Sequence, residues 1–316
     1  YKRQGQLICI FVAYKGTEEA EIWMRRSRNG GGKWEEHDPL ASAKETGHAK
    51  TWSFAAATDI DQHPMWLVYA DGDANQRVFA RKGRGHGQNW SRPADITRQA
   101  KELDWNVTMC GKGHTITHGK KARGRIVLPM LAGIDQDDLF VLITDDGDEW
   151  RRVGPVIENG GRLAEIIEDE EGCLRVVTGA AKGQRQSGLR RWATSHDGGE
   201  TWSAPVECQL PDTSKWGGAL AAGVDADDKP VWYYAMTEAP GNPSGLPPQT
   251  NLTLFGSRDR GASWEPLRRF HYGRGFYPSA VSLSPGRCAI TYVRQTEGGL
   301  SEQVRFVELD RLWENK

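Results

Sequence analysis

Ser195-His-Asp-Gly-Gly-Glu-Thr-Trp202 carries the pattern from which the architecture can be worked out. Each residue type in it has a job in a tight turn. The Asp side chain accepts local backbone N–H groups, a Gly supplies positive φ, and the Trp buries itself between sheets. A second near-complete copy is Ser257-Arg-Asp-Arg-Gly-Ala-Ser-Trp264. Three degenerate copies run Ser27-Arg-Asn-Gly-Gly-Gly-Lys-Trp34, Gly83-Arg-Gly-His-Gly-Gln-Asn-Trp90 and Thr144-Asp-Asp-Gly-Asp-Glu-Trp150. The five closing Trp residues are 56, 60, 52 and 62 residues apart. A period of that size marks an array of repeated sheets. The Asp residues therefore read as turn staples rather than as calcium or catalytic ligands. Gly30-Gly-Gly-Lys33 lacks the spacing of a phosphate loop and reads as the first of these turns.

Ahead of the later turns lie β-branched and aromatic runs: Trp66-Leu-Val-Tyr69, Arg125-Ile-Val-Leu128, Leu174-Arg-Val-Val177 and Val231-Trp-Tyr-Tyr234. Each repeat thus reads as about four antiparallel strands. Only Asp95 to Leu103 suggests a helix, and it is short enough to be a loop decoration. Five turns plus the closing segment Tyr277 to Trp313 predict an all-β, six-bladed β-propeller of four-stranded antiparallel blades, the last completed by an N-terminal strand. All 316 residues, 1–316, are expected to form one domain.

Composition narrows the function. With 41 basic and 42 acidic residues the net charge is −1, so neither nucleic acid nor an anionic membrane is an expected partner. No apolar run reaches the length of a membrane span; the best, Leu7 to Tyr14, is strand-sized. The chain begins at Tyr1 without a signal peptide, so localisation stays open, leaning to secreted or periplasmic. Cys9, Cys110, Cys173, Cys208 and Cys288 form no metal or disulfide pattern, and at least one must be unpaired within the chain. His114 and His118 lie in a Gly- and Thr-rich region that does not put them on one helix face, and there is no Gly-x-Ser-x-Gly elbow. No metal and no cofactor are expected, and the oligomeric state is left open.

The turn motif and its spacing resemble those of the Asp-box sialidases and sialidase-like proteins, from Leu7 to Trp313. Gly111-Lys-Gly-His-Thr-Ile116 with Gly124-Arg-Ile-Val-Leu-Pro129 is similar to that family's third blade. Phe276-Tyr-Pro-Ser279 is similar to the segment holding its nucleophile. The resemblance implies retaining hydrolysis in which a Tyr attacks the anomeric carbon, a Glu takes its proton, an Asp protonates the leaving group and three Arg hold the sugar's carboxylate. A neutral Tyr suits an anomeric centre that bears a carboxylate, which would repel an anionic nucleophile.

On this resemblance Tyr277 stands where the nucleophile belongs. Its partner is Glu165 in Leu163-Ala-Glu-Ile-Ile167; an ungapped register through Glu171-Gly172 puts Leu163 there, with Glu165 two residues on along the same face. Arg190, five residues before Ser195, matches the second carboxylate-binding Arg. Where the third Arg is expected, eight residues before Ser257, stands Gln249, which donates hydrogen bonds but cannot neutralise a carboxylate; Arg274 is the candidate substitute. The first Arg is implied in an Arg-Ile-Pro segment ahead of the first blade, and the sequence given begins at Tyr1 without that segment, which leaves open whether it is cut away or absent. The acid Asp is replaced by Glu18 or Glu19 in Gly16-Thr-Glu-Glu-Ala20, and Lys15 takes a place often held by an active-site Arg. Trp216, Trp52 and Phe276 are aromatics able to stack on a sugar.

The implied activity is an exo-α-sialidase-type glycosidase acting on a glycan or sialoglycoconjugate that ends in a sialic acid or a related acidic sugar. Two alternatives stand beside it: the same fold acting on another acidic or deoxy sugar, which Gln249 favours, and a glycan-binding propeller without catalysis.

Overall fold

The computed structural model describes residues 2–3, 6–15, 19–36, 38–42, 52–58, 65–71, 76–133, 138–159, 164–179, 189–212, 218–237, 250–296 and 302–313. Within them lie six successive sheets, the blades of a six-bladed β-propeller. The first holds β1 (Lys2–Arg3), β2 (Gln6–Lys15), β3 (Glu19–Ser27) and β4 (Glu35–Glu36), in that order. The second is built on β5 (Trp52–Thr58), β6 (Met65–Asp71) and β7 (Arg77–Arg84), with β8 (Asn89–Trp90) and β9 (Ala94–Asp95) both against β7. In the third, β10 (Asn106–Met109) and β12 (His114–Thr115) pair with β13 (Ile126–Gly133), followed by β14 (Asp138–Thr144) and β15 (Arg151–Ile157). The fourth is β16 (Glu165–Glu168), β17 (Leu174–Thr178), β18 (Leu189–Ser195) and β19 (Val206–Pro211); the fifth is β20 (Ala219–Val224), β21 (Pro230–Thr237), β22 (Leu252–Ser257) and β23 (Glu265–His271). The sixth is β24 (Gly275–Ser284), β25 (Arg287–Gln295) and β26 (Glu302–Leu309).

The expected six-bladed propeller of mainly four-stranded antiparallel blades is present, with three local departures. The N-terminal strand β1 pairs with β2 inside the first sheet, and the sixth sheet has three strands among the described residues. Blade size also varies, because the connection after β7 folds back as short strands rather than running straight to the next blade. And β11 (Gly111–Lys112) pairs in parallel with β5, where only antiparallel pairing was expected. The helix expected around 95–103 is α1 (Thr97–Ala100), a single turn. Among the described residues no helix is long and apolar enough to cross a membrane.

The turns behave as their composition demands. In the fourth, the Ser195 hydroxyl donates to Asp197 at 2.8 Å and accepts the Gly199 amide at 2.9 Å; Asp197 accepts the amides of Glu200 and Thr201 and the Thr201 hydroxyl. The fifth repeats this with Ser257, Asp259, Gly261 and Ser263. In the first, Asn29 replaces Asp and still accepts the Lys33 amide at 2.8 Å. Trp90, Trp202 and Trp264 each donate their indole N–H to the carbonyl three residues back. Gly261 holds φ at +86°, and a Cβ there would lie 2.9 Å from the Trp192 ring, so only Gly meets both demands.

By internal contacts the chain divides into two compact units, residues 1–159 with 195–203, and residues 160–194 with 204–316. The first packs its sheets through residues such as Val68, Leu128, Met130 and Leu142, all buried. In the second, Tyr233, Leu254 and Ile290 form one cluster, and Leu210, Leu220, Trp232 and Tyr234 another. Each large apolar side chain so buried contributes about 1.5–3 kcal/mol.

Candidate active site

Chain direction gathers the candidate residues of the second unit. Strand order runs from β16 outward through β19 and from β20 outward through β23, with β16 antiparallel to β17, β18 to β19, and every neighbour in the fifth sheet antiparallel. The starts of β16, β18, β20, β22 and β24 and the ends of β17, β19, β21, β23 and β25 therefore share one end of these sheets. Glu165 is the first residue of β16, Arg190 the second of β18 and Tyr277 the third of β24. Three residues spread over 113 positions of sequence (277 minus 165, plus one) thus arrive at the same end of their sheets.

Tyr277 is no core aromatic. Its side chain is 46% exposed and its backbone sits at φ +48°, in the left-handed region that non-Gly residues seldom occupy. It falls in a register irregularity between Phe276 and Ser279, where β24 leaves its ladder with β25. A bulge of this kind re-aims one side chain out of the sheet, and such departures concentrate at functional sites. Phe276, by contrast, is buried.

Glu165 is half-buried and pairs with Val177 across β17, which makes it the strand-start residue in the observed register; Leu163 lies outside the described residues. Arg190 is 1% exposed. Its guanidinium stands 3.7 Å from Asp212 and its Cζ 5.5 Å from the centre of the Tyr234 ring. Asp212 follows Pro211, which pairs with Leu189, so the register of β18 and β19 brings the two charges together. At 3.7 Å the pair attracts without a full hydrogen bond, and the Arg190 Nε–H is buried with no partner among the described residues. A buried guanidinium left with unused donors is costly, and it suits a group that must still bind an anion.

Tyr234 is the support beneath Arg190. It is fully buried in the middle of β21, its ring meets Trp264 edge-on at 6.0 Å, and its hydroxyl reaches the backbone of Gly218, where a Cβ would stand only 2.1 Å away. Burial drives its phenol well above the ordinary value; the Arg190 charge opposes this, and Cys208, Glu165 and Asp212 add to it. Tyr234 is thus a neutral ring under a cation. Asp212 and Tyr234 carry no local motif and escape a reading of sequence; an aromatic run at 231–234 signals only a strand.

Arg274 is exposed just ahead of β24, with Nη1 donating to the Gln295 amide oxygen at 3.1 Å. Lys15 and Glu19 are paired residues at the end of β2 and the start of β3, in the first unit. Glu18, Gln249 and Trp216 lie outside the described residues, and the side chains of Lys15, Glu19 and Trp52 do too.

Repeated Ser/Thr-x-Asp turns and sheets that follow one another at blade spacing define a β-propeller of the Asp-box type. The chain belongs to the BNR repeat-like domain family, whose pattern it matches over residues 5–290. It is 24% identical over 296 residues to a sialidase of Bacteroides fragilis, covering 83% of this chain and 52% of that protein. Over 138 residues it is 33% identical to the anhydrosialidase of Macrobdella decora, 43% of this chain and 17% of that one. It therefore spans about half the length of the first relative and less of the second. Among solved structures it is similar in fold to a Hadza microbial sialidase, with a TM-score of 0.75 at 18% identity over 98% of this chain and 64% of that one. It is also similar to the intramolecular trans-sialidase of Ruminococcus gnavus, solved with oseltamivir carboxylate, with a TM-score of 0.76 at 13% identity over 97% and 92% of the two chains.

Proposed function

We propose that this chain is a retaining exo-glycosidase that releases a terminal sialic acid or a related acidic sugar, with Tyr277 as nucleophile, Glu165 as its base and Arg190 as a ligand of the sugar's carboxylate. The observation that carries the reading is the arrival of Tyr277, Glu165 and Arg190, from three strands of two sheets, at one end of those sheets, with Tyr277 exposed on a left-handed backbone. Glu165 removes the phenol proton as the Tyr277 oxygen bonds to the anomeric carbon, the bond to the leaving oxygen breaks, and that oxygen is protonated by an acid. Water then displaces Tyr277, and the configuration is retained after two inversions. A phenol approaches this centre neutral, which a carboxylate nucleophile cannot do beside the sugar's own carboxylate. Arg190 binds that carboxylate through a fork that stays charged. Glu18 or Glu19 is the proposed acid, to be distinguished by Glu18→Gln and Glu19→Gln; Lys15, Gln249, Arg274 and Trp216 are proposed substrate contacts.

The test is release of fluorophore from 4-methylumbelliferyl N-acetylneuraminic acid, with a panel of other acidic sugars beside it. Turnover of the sialoside, reduced by about a thousandfold or more in Tyr277→Phe, is the expected result. Silence on every sugar by the folded protein, or full activity in Tyr277→Phe, overturns the reading. Turnover confined to another acidic sugar moves the substrate and leaves the mechanism.

The names of two relatives favour a second outcome for the same intermediate. One is an anhydrosialidase and another an intramolecular trans-sialidase. In such a reaction a hydroxyl of the bound sugar displaces Tyr277 in place of water. The product is then an anhydro sugar, lighter than the free acid by one water, and mass spectrometry of the released sugar decides between the two.

A further inference from the structure

The end of the second unit that carries Tyr277 also gathers positive charge, although the chain as a whole has a net charge of −1. Arg269 and His271 stand at the end of β23, Arg274 precedes β24, Arg294 is near the end of β25 and Arg305 near the start of β26. Register brings them together. Gly275 pairs with Arg294, and on the next strand Arg305 stands opposite Tyr292 and Gln303 opposite Arg294, so Tyr292, Arg294, Arg305 and Gln303 share one face of the sixth sheet. The His271 ring lies 5.2 Å from the Tyr292 ring, and its Nε2 is 3.3 Å from the Arg274 carbonyl, the geometry of an N–H donating to oxygen.

The guanidinium groups are oriented without being neutralised. Arg274 donates to Gln295 at 3.1 Å and Arg294 to Gln303 at 3.3 Å, both neutral amides. Among the described residues Arg274, Arg294 and Arg305 form no ion pair. Glu302, the nearest carboxylate in register, stands opposite Gln295 and so on the other face from Arg294 and Arg305. His271 is held below its ordinary value, first by burial and further by Arg294 and Arg305, so it remains neutral at pH 7 and adds no charge of its own. A protein that needed these arginines only for stability would pair them with carboxylates, as Arg287 is paired with Glu308 at the opposite end of the same strands.

A second feature points to a sugar. Tyr272, at the junction of β23 and β24, is 70% exposed, with the Arg269 Cζ 5.6 Å from its ring centre. An exposed aromatic face beside guanidinium groups suits a pyranose ring bearing an acid. We propose that this rim, with Arg294 and Arg305 on one face of the sixth sheet and Tyr272 beside Arg269 at the end of β23, is a subsite for further acidic sugars of a glycan chain, beyond the sugar that Tyr277 attacks. The proposal rests on the reading of Tyr277 given above for its catalytic meaning, and it makes the preferred substrate a polyanionic glycan carrying successive carboxylates.

The experiment measures binding, so that it does not depend on turnover. In a Tyr277→Phe background, a tetramer of α2,8-linked N-acetylneuraminic acid and, as a singly charged control, sialyllactose are titrated calorimetrically against the chain with and without Arg294→Ala/Arg305→Ala. The tetramer is expected to bind more weakly to the double variant by about tenfold, with sialyllactose unchanged, and its affinity for the parent to fall as salt rises. Equal tetramer binding by the two proteins, or an equal loss for both ligands, overturns the subsite. Should the double variant fail to fold by circular dichroism, Arg305→Gln on its exposed position makes the same comparison with a smaller change. Arginine-dependent tetramer binding by a chain that cleaves no sialoside retains the subsite and removes the catalytic reading. Cleavage with no such dependence does the reverse.

Discussion

Arg190 concentrates the residue-scale argument. It is buried, faces Asp212 at a distance too long for a full hydrogen bond, and rests on the Tyr234 ring. Its charge is compensated enough to be tolerated, yet its donors are not used up. Arg190→Lys keeps the charge and loses the planar fork, and we expect kcat/KM on the sialoside to drop by roughly a hundredfold with the protein still folded. Tyr234→Phe keeps the ring under the guanidinium and should change kcat/KM by less than about threefold, whereas Tyr234→Leu removes the cation–π contact and should cost about tenfold. Steady-state kinetics of the three variants check this; a Tyr234→Phe defect as large as that of Tyr234→Leu would give the role to the hydroxyl. The position of Arg190 before the Ser195 turn made it legible in sequence. Asp212 and Tyr234 were not, since they lie 22 and 44 residues further on and reach Arg190 only through sheet register and the packing of neighbouring blades.

At the scale of elements the Asp turns join β3 to β4, β14 to β15, β18 to β19 and β22 to β23, and their chemistry has a pH signature. The Asp146 carboxyl is held below its ordinary value by the Glu149 and Asp148 amides. For Asp197 and Asp259 burial pulls upward, but the hydroxyls of Thr201 and Ser263 and the backbone amides outweigh it and the net direction is down. A depressed folded value means the native state favours the ionised form. The contribution is therefore complete above the unfolded value, about 4, and is lost as pH falls through the lower folded value. Thermal midpoints taken from pH 7 down to about 3 should fall most steeply below about pH 4, and Asp259→Asn should flatten that drop. Asp259→Ala removes acceptors for the Ser257 and Ser263 hydroxyls and the Ser263 amide, and we expect a loss of about 1–2 kcal/mol in urea denaturation at pH 7. An unchanged midpoint would mean that the turns are held by their Trp residues alone. These elements were the most legible part of the chain, because Ser, Asp, Gly and Trp act within eight residues of one another.

For the whole molecule, we expect residues 1–316 to unfold as one domain even though internal contacts divide the chain into two compact units. Scanning calorimetry should give a single transition whose van't Hoff and calorimetric enthalpies agree; two resolved transitions would make the units separate domains. None of the five cysteines forms a disulfide, and Cys110, Cys173, Cys208 and Cys288 are buried. The transition temperature should therefore be unmoved by a reducing agent, and five thiols should react with Ellman's reagent after denaturation.

The number of sheets, the place of each Asp turn and the family were legible in the order of residues alone, because each of these rests on residues that act on their immediate neighbours or repeat at a fixed period. That order also singled out Tyr277, Glu165 and Arg190 through a resemblance in local motifs. Folding in three dimensions was needed to show that these three share one end of their sheets, that Tyr277 leaves its ladder on a left-handed backbone, and that Arg190 is seated between Asp212 and Tyr234. It was also needed to show that β1 pairs with β2, that β11 runs parallel to β5, and that Arg294 and Arg305 gather beside His271. The physical reason is the same in each case. Register and strand direction convert distant positions into neighbours, and a chain written in one dimension specifies those pairings through the sum of many weak contacts rather than through any motif.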